Sequence, residues 1–260
     1  METPGNQNSE YLYGINAITT LLEVNSGNRR IYGIYISESR RQDRRIQNIK
    51  DLALKKSIMF SVVGSSSFRE THGDPAVTQN IAALVSPYNT SDLDHYLKSN
   101  IKHNSGLVML DQVTDMGNFG SIIRNCRAFG SWGIIIAKKR SAVLNYKVSR
   151  ISAGALEGIT VFRVPNLAMA IRKLKSEGFW IYGTTLDRDK NVMDLAEADF
   201  NFPLVLVLGS EDRGMSRIVT DNCDVLLSMA LSGDMQSLNV SVASGIILYY
   251  IQEKYRKGQS

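Results

Sequence analysis

Short apolar runs that alternate with helical stretches constrain this chain more than any other feature. From Gly106 onward the runs are Leu107 to Leu110, Gly133 to Ala137, Thr160 to Val164, Phe179 to Gly183, Leu204 to Leu208 and Val225 to Met229. Between and after them lie helical patterns at Gly120 to Phe129, Lys147 to Leu156, Leu167 to Glu177, Ser216 to Asp221 and Leu238 to Lys254. Strands this apolar have both faces buried, and the intervening helices are what would cover them. The rhythm predicts an α/β domain over residues 106–257 with a parallel sheet inside.

A smaller α/β unit is expected over residues 11–87. Its helices are G-I-N-A-I-T-T-L-L-E and the Arg-rich stretch from Arg41 to Lys56; its strands are Ile31 to Ile36, Ile58 to Val63 and Ile81 to Val85. The first ten residues are polar and are expected to be disordered. Residues 88–105 are polar too, with one weak helix from Asp92 to Leu97, and read as a linker.

Composition narrows the function. No apolar run nears the ~18 residues that span a bilayer, and the N-terminus lacks the apolar core of a signal peptide. A cytoplasmic protein with no membrane partner is expected. The two cysteines, Cys126 and Cys223, lie far apart, and His72, His95 and His103 are scattered, so no metal site is expected. Trp132 and Trp180 read as core residues. The net charge is +5 and it is clustered. Arg40, Arg41, Arg44 and Arg45 fall together, and Lys138, Lys139 and Arg140 follow an apolar run. Two such clusters favour nucleic acid as a partner.

Three loops follow strands, where open α/β sheets place ligands. In D-Q-V-T-D-M-G-N-F-G-S-I-I-R, Asn118 stands between Gly117 and Gly120, and Arg124 follows one turn into the helix. In L-G-S-E-D-R-G-M-S, Gly209 and Gly214 flank Glu211, and glycines there let backbone N–H groups face a ligand. The third, M-A-L-S-G-D-M-Q-S-L-N-V, leads into the last helix. Ser237 and Asn239 stand at the mouth of its apolar run (Val240, Val242, Ala243, Ile246, Ile247, Tyr250, Ile251), and Ser241, Ala243, Ser244 and Gly245 are small enough to admit another backbone. Neither G-x-G-x-x-G nor a Walker A loop is present.

Taken together and in this order, N-F-G-x-I-x-R, L-G-S-E-x-x-G-M-S and S-L-N-V-S-V-A resemble the SpoU branch of the SPOUT methyltransferases. The segment S-A-G-A-L-E at Ser152 to Glu157 is similar to that family's middle segment, and Y-G-I-N-A-I opens a unit similar to its small RNA-binding domain. Three places depart from the family's pattern: Met116-Gly117, Met229-Ala230-Leu231 and Thr78-Gln79-Asn80.

The resemblance implies a trefoil knot in the C-terminal domain, built by the end of the chain, and a pocket in that knot for S-adenosyl-L-methionine. Carried over residue by residue, Leu208, Gly209, Met229, Leu231, Ser237 and Leu238 would hold the cofactor. Asn118, Arg124, Glu211 and Asn239 would surround the reaction. Arg40, Arg41, Arg44 and Arg45 are the candidates for RNA phosphates. A homodimer is implied, with each site completed by the partner subunit. The expected reaction is methyl transfer to a ribose 2′-hydroxyl of ribosomal RNA, at a guanosine of 23S-type RNA. The alternatives are the same chemistry on transfer RNA and a non-catalytic RNA-binding factor of ribosome assembly. Guanidinium groups keep their protons in proteins, so Arg124 suits holding a phosphate and orienting the ribose better than acting as a base.

Overall fold

The computed structural model describes residues 9–24, 27–99, 106–130, 132–186, 192–232 and 237–258. In chain order its first elements are β1 (Glu10–Tyr13), α1 (Ile15–Val24), β2 (Ile31–Ser37), α2 (Arg44–Lys55), β3 (Phe60–Val63), α3 (Ser65–His72), α4 (Pro75–Thr78) and β4 (Ile81–Val85). There follow α5 (Leu93–Lys98), β5 (Gly106–Asp111), α6 (Met116–Ala128), β6 (Gly133–Ala137), α7 (Tyr146–Ile151), β7 (Val161–Val164) and α8 (Leu167–Ser176). The chain finishes with β8 (Trp180–Thr184), β9 (Val192–Asp194), β10 (Leu204–Gly209), α9 (Arg217–Thr220), β11 (Val225–Ser228) and α10 (Val240–Gly258). The disorder expected at the start of the chain concerns residues 1–8, outside the described residues; Glu10 already belongs to a strand.

These elements form two units, Met1–Asn89 with Leu144–Gly158, and Thr90–Val143 with Ile159–Ser260. The first holds a mixed sheet in the order β1-β4-β2-β3. Leu12, Ile34, Ile36, Ile81 and Ala83 face one way and share a core with Ile15, Ile18, Leu21 and Leu22 of α1 and Ile46, Ile49 and Ala53 of α2. Tyr11, Tyr13 and Tyr35 face the other way, since strand side chains alternate. They gather around His72 of α3, whose ring lies 4.6 Å from those of Tyr11 and Phe68. Burial there holds the imidazole pKa below its ordinary value.

Residues 144–158 differ from the sequence expectation twice. They pack in the first unit, and they form not one long helix but α7 followed by a 3₁₀ turn. Gly154 explains the break. Its φ is +87°, and a Cβ there would stand 2.7 Å from the Ala17 Cα of α1. Glu157 then reaches a fully buried ion pair, accepting from Arg29 Nε at 2.9 Å. Arg29 also donates to Glu10 and to the Ser86 carbonyl. Such a pair adds little net stability, because desolvating both charges offsets their attraction. Burial pushes the Glu157 carboxyl pKa up, while Arg29 pulls it down.

The second unit is a seven-stranded sheet in the order β7-β6-β5-β10-β8-β11-β9, with every pair parallel. The central strands β5 and β10 are buried almost throughout. Leu107, Met109, Val205 and Val207 pack with α5, α8 and Val219 of α9. Val108, Leu110, Leu206 and Leu208 point to the opposite face and are equally buried. On the other side of the sheet lie α6 and α10, which pack on one another. Part of the stretch read as a linker belongs to this unit: Leu93 and Leu97 of α5 are in its core, and Ser91 bridges Phe162.

Sheet order fixes where a ligand can sit. From β5 the chain moves outward to β6 and β7; from β10 the neighbours lie on the other side. The crevice between β5 and β10, at their carboxyl ends, is the switch point of the fold.

Candidate functional site

Both loops at that switch point are held by short-range chemistry. Asp115 ends the β5 loop and accepts the Asn118 N–H at 2.8 Å, capping α6. The helix therefore begins at Met116, four residues before the start read from the sequence. A Cβ on Gly117 would stand 3.0 Å from the capping oxygen, so the absent side chain makes room for the cap. The departure at Met116-Gly117 lies in the first turn of α6.

The β10 loop closes on itself. Ser210 and Gly214 exchange backbone hydrogen bonds of 3.1 and 2.9 Å. A Cβ on Gly209 would meet the Gly214 carbonyl carbon at 2.2 Å, so only glycine allows this return. The buried carboxylate of Asp111, at the end of β5, accepts from Ser216 N at 2.7 Å and Ser216 Oγ at 2.6 Å. That clamp ties the far end of the β10 loop to the neighbouring strand. Glu211, in the middle, is thereby presented at the crevice.

Asn118, Glu211 and Asn239 meet there. Glu211 Oε1 accepts from Asn118 Nδ2 at 3.0 Å, from the Val240 N–H at 3.3 Å and from Asn239 Nδ2. Asn239 Nδ2 also donates to Asn118 Oδ1 at 2.9 Å. Asn239 Oδ1 accepts the Ser241 N–H at 2.9 Å, which caps α10. One carboxylate oxygen thus joins three segments far apart in sequence. Nearby, Asn125 donates to the Ser241 carbonyl at 2.8 Å and to Ser244 Oγ at 2.9 Å, pinning α6 to α10.

Glu211 borders two cavities, and Asn118 lines the smaller of them. The larger, about 580 Å³, is lined by Leu208, Gly209, Met229, Leu231, Ser237 and Leu238 among others. All six residues carried over for a cofactor thus share one space. Residues 233–236 of the third loop lie outside the described residues. The smaller cavity, about 320 Å³, is lined by Gln112, Asp115, Asn118 and Arg140. Ser210 to Arg213 and Val240 border both.

Other expectations come out differently. Arg124 is exposed on α6 and lines neither cavity of its own chain. It is six residues from Asn118, which at ~100° per residue puts it on another side of the helix; Asn125, seven away, shares the Asn118 side. Val242 and Ile246, expected on the buried face of α10, are 51% and 43% exposed, and Tyr249 is 52% exposed. The arginine run does not lie on one helix. Arg40 ends a 3₁₀ turn and Arg41 follows it, while Arg44 and Arg45 open α2 behind its cap, Asp43. Backbone hydrogen bonding from Arg45 holds the Asp43 pKa below its ordinary value. The Thr78-Gln79-Asn80 departure is structural as well: Gln79 Oε1 accepts the Ile15 N–H at 2.9 Å, at the start of α1.

Sequence reading passed over Asp115, Asn125 and Gln112. For Asp115 the signal was present, an Asp three residues before Asn118, in the spacing of a helix cap. Among the described residues no group of three or more His, Cys, Asp or Glu could hold a metal ion, and no helix is long and apolar enough to cross a membrane. Burial raises the thiol pKa of both cysteines, that of Cys223 to about 12.

Comparison with known proteins finds a family match for each of two stretches of the chain. Residues 105–249 match the SpoU rRNA methylase family, and residues 11–91 match the family described as RNA 2′-O ribose methyltransferase substrate binding. The chain is 35% identical to a Bacillus subtilis (strain 168) protein named putative TrmH family tRNA/rRNA methyltransferase, over 96% of this chain and 97% of that one. The solved structure of a SpoU methyltransferase from Streptomyces viridochromogenes in complex with AdoMet is similar with a TM-score of 0.77, at 23% identity, over 98% of this chain and 96% of that one. A TrmH/SpoU tRNA modifying enzyme of A. aeolicus matches less of it: TM-score 0.55, 29% identity, 64% of this chain and 86% of that one.

Proposed function

The chain belongs to the SpoU rRNA methylase family, and from that premise we propose that it transfers a methyl group from S-adenosyl-L-methionine to the 2′-hydroxyl of a guanosine ribose in 23S-type ribosomal RNA. The observation that carries this reading is the Asn118–Glu211–Asn239 cluster, whose Glu211 borders both a larger and a smaller cavity.

The larger cavity suits the methyl donor. Its volume is within the range of small-molecule sites. Leucines 208, 231 and 238 give it apolar walls, and Thr184, Thr185, Ser210, Ser228 and Ser237 give it hydroxyls, a mixture that fits a nucleoside joined to an amino acid. When bound, that molecule supplies a sulfonium methyl and leaves as a neutral thioether. The residues of the chain have then only to align and shield. Holding two reactants in line removes much of a barrier without any covalent step. The cluster is shaped for this: one carboxylate oxygen fixes two amides and the start of α10, so the wall between donor and acceptor is stiff. The C-terminal chain closes the cradle, and we read its path as the trefoil knot of the family.

Arg124 enters this reading from a second copy of the chain. Val242, Ile246 and Tyr249 form an exposed apolar stripe on α10, beside α6, which carries Arg124. A homodimer burying that stripe would bring a guanidinium to the neighbouring site, where it can grip a phosphate and orient the ribose. Ribosomal RNA is favoured over transfer RNA by coverage. The tRNA modifying enzyme leaves about a third of this chain unmatched, whereas residues 11–91 carry a substrate-binding match of their own. A ribosomal substrate favours the cytoplasm as the site of action.

The test is methyl transfer from labelled S-adenosyl-L-methionine to ribosomal and transfer RNA, followed by mapping of ribose methylation. Label at a guanosine of large-subunit ribosomal RNA is expected. Label confined to transfer RNA would replace the substrate in this reading. Cofactor binding without transfer to any RNA would leave an assembly factor.

A further inference from the structure

The smaller cavity has no assigned occupant, and its lining is unusual. Gln112 and Arg140 have φ of +62° and +58°, and among the described residues of the second unit no other non-glycine residue has a positive φ. Both line this one cavity. Left-handed backbone at non-glycine residues is strained and collects at sites where a side chain must be aimed. Arg140 ends the basic run after β6, and among the described residues its guanidinium forms no ion pair. Asp115, also on the wall, already accepts the Asn118 N–H. Arg213 borders both cavities, but Arg140 borders the smaller alone.

We propose that this cavity seats the target ribonucleotide, and that Arg140 is the positioning residue that grips a phosphate flanking the reacting ribose. The inference rests on the ribose-methylation reading. If the larger cavity holds the methyl donor, the acceptor hydroxyl must approach from the other side of Glu211, and the smaller cavity is what lies there. A volume of about 320 Å³ is at the low end of small-molecule sites, suited to one nucleotide rather than a duplex. A nucleotide within a chain brings a phosphate on each side of its ribose. An unpaired guanidinium meets one as a two-pronged donor, in a geometry that an ammonium cannot copy. The second phosphate is left for Arg124 of the other subunit.

Arg140→Gly relieves the left-handed backbone and removes the charge; Arg140→Lys keeps the charge and loses the fork. Full-length variants are assayed for kcat and KM on ribosomal RNA, for S-adenosyl-L-methionine affinity by calorimetry, and for the dependence of RNA binding on salt. Arg140→Gly is expected to raise the RNA KM by about tenfold to a hundredfold, with kcat within about threefold and cofactor affinity unchanged. The slope of log affinity against log salt falls by about 0.7 to 0.9, as for one lost phosphate contact. Arg140→Lys recovers the slope but not the KM. Lys139→Ala, a neighbour with the same charge change outside the cavity, leaves KM near wild type.

An unchanged KM and slope in Arg140→Gly overturns the proposal, as does an equal effect in Lys139→Ala, which would signal a diffuse field. Loss of cofactor binding in Arg140→Gly overturns it too, because Arg140 is outside the larger cavity. A wild-type protein that binds cofactor and methylates no RNA refutes the ribose-methylation reading itself, an outcome visible before any variant is made.

Discussion

Asn118, Glu211 and Asn239 come from three separate stretches and share a single carboxylate oxygen. Arg40, Arg41, Arg44 and Arg45 come from one short stretch and part company, two before the cap of α2 and two after it. Closeness in sequence therefore says little about which polar groups act together. What binds the first set is mutual hydrogen bonding: both amides donate to the one carboxylate oxygen, and Asn239 also donates to Asn118. In the second set only Arg40 and Arg45 share a partner, Asp43, while Arg41 and Arg44 are exposed. Removing one group should be costly in the first region and cheap in the second.

The largest expected effect tests the closed set. Glu211→Ala strips the shared acceptor from Asn118, Asn239 and the Val240 N–H. Two amides are then free to turn into the space between the cavities. Misplacement of about 1 Å costs on the order of a hundredfold in rate, and single-turnover methyl transfer should show at least that. Glu211→Gln keeps the acceptor oxygen but adds donors facing donors, so it is expected to fall between. Turnover within about twofold of wild type in Glu211→Ala would remove the cluster from the chemistry and erase the contrast.

Next in size is the clamp behind that set. Asp111→Ala removes the buried carboxylate oxygen that accepts from both Ser216 N and Ser216 Oγ. Leaving such donors short of an acceptor costs about 1–3 kcal/mol. In a chain of this length each kcal/mol lowers Tm by roughly 2–4 °C. A thermal melt and a rate measurement together are informative. A large loss of stability with an intact rate would mean that the β10 loop holds its shape without the clamp. A rate loss larger than the stability loss would place Asp111 among the groups that aim Glu211.

How much of this was legible in the sequence follows the same division. The sheet of the second unit was visible, because its central strands are apolar on both faces and cannot be mistaken for loops. β9 was not, since three residues with one exposed methionine carry no period. α3 was missed for a similar reason: of Ser65–His72 only Phe68 is buried, so no stripe repeats. At the site, the residues that touch one another were found through the family's motifs, whereas those that only hold them were not. Asp115 and Asn125 act through a helix cap and a clasp between helices, which depend on where α6 begins and what it packs on. Arg124 is the instructive case. The resemblance put it beside Asn118 around the reaction, and with a helix taken to start at Gly120 it stood only one turn in. Once Asp115 moves the start to Met116, the two diverge around the helix, and in the proposed reading it is a second subunit that would bring a guanidinium back.

The smallest expected effect belongs to the arginine run, and it is the most discriminating because two of the four are already engaged. Asp43 Oδ2 lies 3.4 Å from Arg40 and 3.5 Å from Arg45. Exposed pairs of this kind are worth about 0–1 kcal/mol, little for stability but enough to bias where each guanidinium points. Arg41 and Arg44 are therefore the better phosphate contacts. Changing these two to Gln should lower the salt slope of RNA binding by about 1.4 to 1.8, at 0.7 to 0.9 per phosphate, with kcat and melting temperature unmoved. Adding Arg40→Gln and Arg45→Gln should lower it little further. A slope that falls evenly with each of the four would mean that RNA pulls Arg40 and Arg45 away from Asp43 on binding. A slope that does not fall at all would make the run an ordinary solvated face, and RNA affinity in the first unit would have to come from a surface that carries no such run.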